Sequence, residues 1–171
     1  MERKHPPRPG KTDAPVLAYA AELLYAALLN DGLIEGQERE HCERVLASSL
    51  RRFPNGYEMA KDLEHLLPSW DIGPEMVQTL DVRAWDCWDR AHKEALRLWV
   101  LAYDIKPAFS VGDVVDWMGD VGTVKSIDKT LGQYTIYLPE FVEQRPGYIG
   151  TIVDFEDVSA PAKQEVIHGN H

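Results

Sequence analysis

The sequence predicts an α+β protein, in which an N-terminal helical bundle of four or five helices precedes a C-terminal small β-barrel. Apolar residues recur at the i, i+3, i+4 spacing of a buried helix face as far as residue 106. From Pro107 onward, short runs of β-branched and aromatic residues alternate with Gly and Asp turns. Hydrophobic residues make up 44% of the 171 residues and charged residues 27%, which excludes a disordered or fibrous chain.

The helices are predicted from apolar spacing and from residues that start or stop them. Asp13 can cap the first helix, and Asn30-Asp31-Gly32 ends it. In the longest helix, Trp85, Trp88 and Trp99 fall on the apolar side, so we expect it to brace the bundle. The predicted helices cover residues 13–30, about 35–50, about 57–67 and 82 to about 103, with a short turn over 74–80.

The same reasoning divides the chain into four parts. We expect a disordered basic arm over 1–12, a helical domain over 13–106, a small barrel over 107–158 and a disordered tail over 159–171. Three prolines between residues 6 and 9 favour an extended arm over a helix. The barrel strands are predicted over 111–117, 122–127, 134–138 and 148–155.

The net charge of −10 is unevenly distributed and bears on the class of partner. The arm carries +3, residues 13–106 carry −7, and residues 107–171 carry −6 because ten acids oppose four Lys and Arg. An acidic surface repels phosphate, so nucleic-acid binding is disfavoured. No apolar stretch is long enough to span a membrane, and no signal-peptide pattern precedes the prolines. We therefore expect a cytoplasmic protein with Cys42 and Cys87 reduced.

The C-terminal segments resemble a known fold. The runs that carry the resemblance are Phe109-Ser110-Val111-Gly112-Asp113-Val114-Val115-Asp116-Trp117, Gly122-Thr123-Val124 and Tyr134-Thr135-Ile136-Tyr137. They are similar to SH3-like barrels, including KOW- and Tudor-type modules and the C-terminal barrel of the nitrile hydratase β subunit. The resemblance covers residues 108–158 and implies an SH3-like small barrel of four or five short strands.

The resemblance leaves two alternative functions open. A helix–turn sequence of the nitrile hydratase β subunit is similar to the segment Leu28-Leu29-Asn30-Asp31-Gly32-Leu33-Ile34. This resemblance implies an accessory role beside a metal-carrying partner. KOW-type barrels often bind nucleic acid, which is the second alternative. The helix-plus-barrel order also resembles small proteins of phages and prophages.

Catalytic and metal-binding patterns are weak. Asp89-x-x-His92 and Glu38-x-x-His41 have the spacing of half a carboxylate-bridged di-metal site. Asp89 lies on the polar side of its helix, however, so a structural role for His92 near the tryptophans is favoured. His41 precedes Cys42 directly, and adjacent helix residues point about 100° apart, so they cannot form a base–nucleophile pair. We expect no enzyme activity, no metal and no cofactor.

The candidate site is a protein-binding surface on the barrel. Ring faces and carboxylates together can engage a partner's basic side chains, although most of the aromatics could instead fill the barrel core. The long loop over 139–147 places Phe141 and Val142 beside charges, and it is the preferred contact. The candidate residues are Trp117, Asp116, Asp120, Tyr137, Phe141, Val142, Glu143 and Tyr148. The predicted function is that of an adaptor, accessory subunit or inhibitor.

Overall fold

A computed structural model describes residues 5–36, 38–53, 55–141 and 145–161. The chain divides into a helical unit, Met1–Trp99, and a sheet unit, Val100–His171. The described residues contain the helices α1 (Ala14–Asn30), α2 (Arg39–Arg52), α3 (Gly56–Leu66) and α4 (Pro74–Tyr103). An antiparallel sheet follows them. The predicted α+β class, with helices before strands, is confirmed.

The core of the helical unit is built from the apolar faces that the spacing predicts. Each helix contributes side chains that are at most 2% exposed, and burying each of them contributes about 1.5–3 kcal/mol. Asn55 caps α3, because its side-chain oxygen accepts a hydrogen bond from the Glu58 N–H at 2.9 Å. The most deeply buried side chains are Leu24, Leu28, Leu46, Leu50, Met59, Leu63, Met76 and Leu80.

Helix α4 begins earlier than predicted. The sequence predicts a separate turn over 74–80, whereas the helix is continuous from Pro74. Proline is tolerated at the first helical position, because the N–H that it lacks has no partner there in any helix. Met76, Leu80 and Ala84 then continue one buried face at intervals of four residues.

The predicted apolar side of α4 is only partly buried. Trp99 is 5% exposed, but Trp85 and Leu98 are 52% and 51% exposed. Trp88 lies between these extremes and packs against the core of the helical unit. The exposed indole of Trp85 contacts Lys11 instead, with Nζ 4.5 Å from the ring centroid.

Residues 5–12 lie along α4, where the sequence predicts a disordered arm. The Trp99, His92 and Trp88 rings each make a hydrogen bond to a backbone carbonyl of this segment. Asp13 closes the segment, since its carboxylate accepts a hydrogen bond from the Gly10 N–H at 2.9 Å. Residues 1–4 and 162–171, the rest of the predicted arm and most of the predicted tail, lie outside the described residues.

The sheet unit contains one five-stranded antiparallel sheet in the order β4-β3-β2-β1-β5. It is not closed into a barrel, so the predicted barrel is not confirmed. Its core includes Tyr134 and Ile136 of β3 and Leu138 directly after it, each at most 1% exposed. A short 3-10 helix, Phe155–Asp157, joins β4 to β5. The strands are β1 (Val114–Trp117), β2 (Asp120–Asp128), β3 (Gln133–Tyr137), β4 (Thr151–Asp154) and β5 (Val158–Ser159).

Candidate functional site

The strand register divides the sheet into two faces. Val115 is fully buried on β1, so its neighbours Val114 and Asp116 point to the opposite face. Val114 pairs with Thr123, and Thr123 pairs with Tyr137, so one row crosses three strands. We call this side the outer face. The described residues of β1 to β4 that lie on it include Val114, Asp116, Val121, Thr123, Thr135, Tyr137, Ile152 and Asp154.

The outer face exposes apolar side chains on three strands. Val114 is 54% exposed, Val121 52% and Ile152 67%. Val121 pairs with Asp116 and Ile152 pairs with Thr135, so these side chains lie on the same face of the sheet. Sequence reasoning missed this surface, because Val114-Val115 and Ile152-Val153 are adjacent apolar pairs and only the strand register shows which member is exposed.

The register places Trp117 and Asp116 on opposite faces, so they do not form one contact surface. Trp117 pairs with Val158 and packs, partly buried, against the core of the sheet unit. The Asp116 carboxylate accepts a hydrogen bond from the Gly119 N–H at 3.1 Å, which orders the turn between β1 and β2. Trp117 therefore fits the core alternative better than the contact role.

Three other candidate aromatics do lie together. The ring centroids of Tyr137 and Tyr148 are 6.0 Å apart, and those of Phe141 and Tyr148 are 5.8 Å apart in an edge arrangement. The Tyr148 hydroxyl donates to the Ile136 carbonyl and accepts from the Leu138 N–H, both at 3.3 Å. Tyr148 thus anchors the cluster to the end of β3.

Cations of this chain already lie over two of these rings. Lys125 Nζ is 4.9 Å from the Tyr137 centroid, and the Arg145 guanidinium carbon is 5.1 Å from the Phe141 centroid. A partner's basic side chain would have to displace them to use these faces. The cation-binding role of these rings toward a partner stays a prediction. Val142 and Glu143 lie outside the described residues.

Asp120 and Glu140 form a pair of neighbouring carboxyl groups. The pKa of Glu140 is raised above its ordinary value by desolvation, by a hydrogen bond to Asp120 and by the negative charge of Asp120. Asp120 pairs with Trp117 at the end of the β1–β2 hairpin. The two carboxyl groups concentrate negative charge at this end of the hairpin.

The weak metal candidates are engaged in other contacts. The Asp89 carboxylate forms an ion pair with Lys93 Nζ at 2.7 Å, which is the largest cause of its lowered pKa. His92 bonds to the Pro9 carbonyl, and Glu38 is the cap residue of α2. Among the described residues, which include His41, no group of three or more His, Cys, Asp or Glu is arranged to hold a metal.

A cavity of about 520 Å³ opens in the helical unit. Its size falls within the range of small-molecule sites. Glu38, Asp71 and Glu75 line it together with Trp70 and Cys42. The acidic lining favours a positively charged guest over an anionic one.

Both thiols are sheltered from reaction. Cys42 is 3% exposed, and burial is the largest cause of its raised pKa, although a hydrogen bond from Trp70 acts in the opposite direction. Burial also raises the pKa of Cys87, with the negative charge of Asp86 as the next cause. Neither cysteine forms a disulfide. A thiol is a nucleophile only as thiolate, so both are held in the less reactive form.

Comparisons with protein-family models, with curated proteins and with solved structures find no match for this chain. None of the helices among the described residues is both long enough and apolar enough to cross a membrane.

Proposed function

We propose that this chain is a cytoplasmic, non-catalytic protein-binding module, acting as an adaptor, accessory subunit or inhibitor. The sheet unit docks onto its partner through the outer face. The observation that carries this proposal is the exposure of Val114, Val121 and Ile152 on one side of a small sheet. Exposed apolar side chains that share one surface are typical of a protein interaction site.

The charge of the sheet unit indicates the chemical character of the partner. Asp116 and Asp154 lie on the outer face beside the apolar residues, and the Asp120–Glu140 pair adds negative charge near the end of β3. Residues 107–171 carry a net charge of −6. A partner that presents apolar side chains ringed by Lys and Arg complements this surface.

We also propose that the sheet unit is related to the SH3-like barrels that its sequence resembles. The strand order supports this relationship, because four consecutive strands form a meander and β5 returns to pair with β1. The 3-10 helix lies in the connection from β4 to β5, and β5 then pairs with β1. We propose in addition that this protein has a phage or prophage source.

The experiment is affinity capture with the full chain and two matched variants. Val114→Glu places a charge on the outer face, whereas Val111→Glu places the same charge on a side chain that is 61% exposed and precedes β1. We expect one partner to be retained by the wild type and by Val111→Glu and lost with Val114→Glu. Retention by all three proteins would contradict docking through the outer face.

Two further outcomes of the same capture decide between the alternatives. A partner that carries a metal would assign the accessory role of a nitrile-hydratase-like system. Recovery of DNA or RNA, released by moderate salt, would assign a nucleic-acid-binding module and contradict the proposed protein partner.

A further inference from the structure

The aromatic face of α4 holds residues 5–12 through their backbone. Trp99 Nε1 donates to the Pro6 carbonyl at 3.2 Å, and Trp88 Nε1 donates to the Lys11 carbonyl at 2.7 Å. Between them, His92 Nε2 lies 3.1 Å from the Pro9 carbonyl oxygen. A carbonyl oxygen only accepts hydrogen bonds, so His92 carries its proton on Nε2.

The spacing of these donors matches an extended chain that runs antiparallel to the helix. From Trp99 to His92 an α-helix rises about 10.5 Å, and from Pro6 to Pro9 a polyproline II segment rises about 9.3 Å. From His92 to Trp88 the rise is about 6 Å, and the turn that the Asp13 N–H closes on the Gly10 carbonyl carries the Lys11 carbonyl to Trp88. Trp99 and His92 therefore match an extended stretch over residues 6–9, and Trp88 holds the turn that follows it.

Side chains add a preference for basic residues. Lys11 Nζ lies 4.5 Å from the Trp85 ring centroid and 3.7 Å from the Asp89 carboxylate. The Arg8 guanidinium carbon lies 5.5 Å from the Trp99 ring centroid. These contacts favour a segment with two positive charges three residues apart.

We propose that this face of α4 is a docking surface for extended, proline-containing basic segments of partner proteins, and that residues 5–12 occupy it until such a segment displaces them. The donors address backbone carbonyls, which any extended segment offers, and proline supplies a chain already held extended. Residues 5–12 lie outside the helices, since α1 begins at Ala14, and Pro6 and Pro7 are exposed, so the segment can detach without breaking a helix hydrogen bond. This surface contains none of the residues of the outer face of the sheet unit.

The test uses the full chain and a synthetic peptide with the sequence of residues 5–12. Attachment gives the chain's own segment an effective concentration of the order of mM, so the wild type binds the free peptide weakly. Pro9→Gly with Lys11→Glu loosens the attached segment, because it loses its stiffness, the ring contact and the ion pair. Lys129→Glu in the β2–β3 turn is the matched charge control.

Binding is followed by NMR through the Trp88 and Trp99 side-chain N–H signals, assigned with Trp→Phe variants. We expect the loosened variant to bind the peptide about tenfold more tightly than the wild type or Lys129→Glu. A peptide with glycine at its three prolines should bind more weakly. If the double variant fails to fold, Lys11→Glu alone is measured, with about fivefold expected.

Equal affinity for the loosened variant and the wild type would overturn the proposal. Unmoved indole signals in the loosened variant at saturating peptide would also overturn it. Indole shifts that depend on protein concentration, with dimers in sedimentation, would instead assign the surface to the segment of a second copy and overturn the assignment to a partner.

Discussion

The indole N–H of Trp88 donates a hydrogen bond to the backbone carbonyl of Lys11 across 2.7 Å, joining residues 77 positions apart. It fixes the C-terminal end of a segment that crosses three ring donors of α4. Since this bond is partly buried, neither group can replace it fully with water when the partner is removed.

Trp88→Phe should lower the free energy of unfolding by about 1 kcal/mol, because it leaves the Lys11 carbonyl without its donor while keeping an aromatic ring. Trp85→Phe is the control, since it makes the same chemical change on a ring that is 52% exposed. Urea unfolding monitored by circular dichroism measures both variants. Equal losses would show that the Trp88 hydrogen bond contributes nothing specific.

Gly56→Ala should destabilise the helical unit by about 1–3 kcal/mol through overpacking. A Cβ at this position would lie 2.3 Å from the Asp81 backbone nitrogen, and the Gly56 N–H already donates to the Asp81 carboxylate at 2.6 Å. Gly73→Ala is the matched control, because a Cβ there meets nothing within 4 Å. Thermal unfolding that is unchanged by Gly56→Ala would contradict this close approach of α3 and α4.

Neutralising one carboxyl group of the Asp120–Glu140 pair should increase the stability of the fold in a pH-dependent way. The folded-state pKa of Glu140 lies above its ordinary value of 4.5, so the pair opposes folding when both groups are ionised. Glu140→Gln should raise the melting temperature near pH 7, and this gain should vanish well below pH 4.5, where Glu140 is protonated in both the folded and the unfolded protein.

The same pair predicts non-additivity. Asp120→Asn should give a similar gain near pH 7, and the double variant should gain no more than either single variant does, since each change removes the same repulsion. The interaction between the two carboxyl groups would be contradicted if the increases in melting temperature added fully in the double variant. It would also be contradicted if the increase from Glu140→Gln persisted in acid.

Alkylation should separate the two cysteines. Burial raises the pKa of both thiols, and Cys42 is only 3% exposed whereas Cys87 is partly exposed. We expect iodoacetamide to modify Cys87 before Cys42 in the folded protein and both at similar rates in urea, with mass spectrometry locating the label. Modification of Cys42 as fast as Cys87 in the folded protein would contradict the described packing.

The sequence predicted the helices and their order before the strands because both depend on local periodicity. Met76 and Leu80 continue the buried face of α4, but Pro74 looked like a break, so the start of the helix was placed too late. The attachment of the N-terminal segment to α4 could not be predicted from the sequence, because the segment has no apolar pattern. It depends on backbone carbonyls, which every residue has, and on ring N–H groups at positions 88, 92 and 99.

The candidate site was predicted in part. Tyr137, Phe141 and Tyr148 do cluster, but their ring faces accept Lys125 and Arg145 of the same chain. Residue type alone cannot show such internal pairing. Asp116 and Trp117 were grouped although consecutive strand residues point to opposite faces, and the outer face became visible only with the register of the strands.

The most direct test of docking through the outer face is the affinity of the captured partner, measured by calorimetry for Ile152→Glu and Ile149→Glu. Both substitutions put the same charge on an exposed isoleucine, but Ile152 lies on the outer face and Ile149 precedes β4. We predict at least about tenfold weaker binding for Ile152→Glu and a change within about twofold for Ile149→Glu. Equal affinities for the two variants would contradict the account.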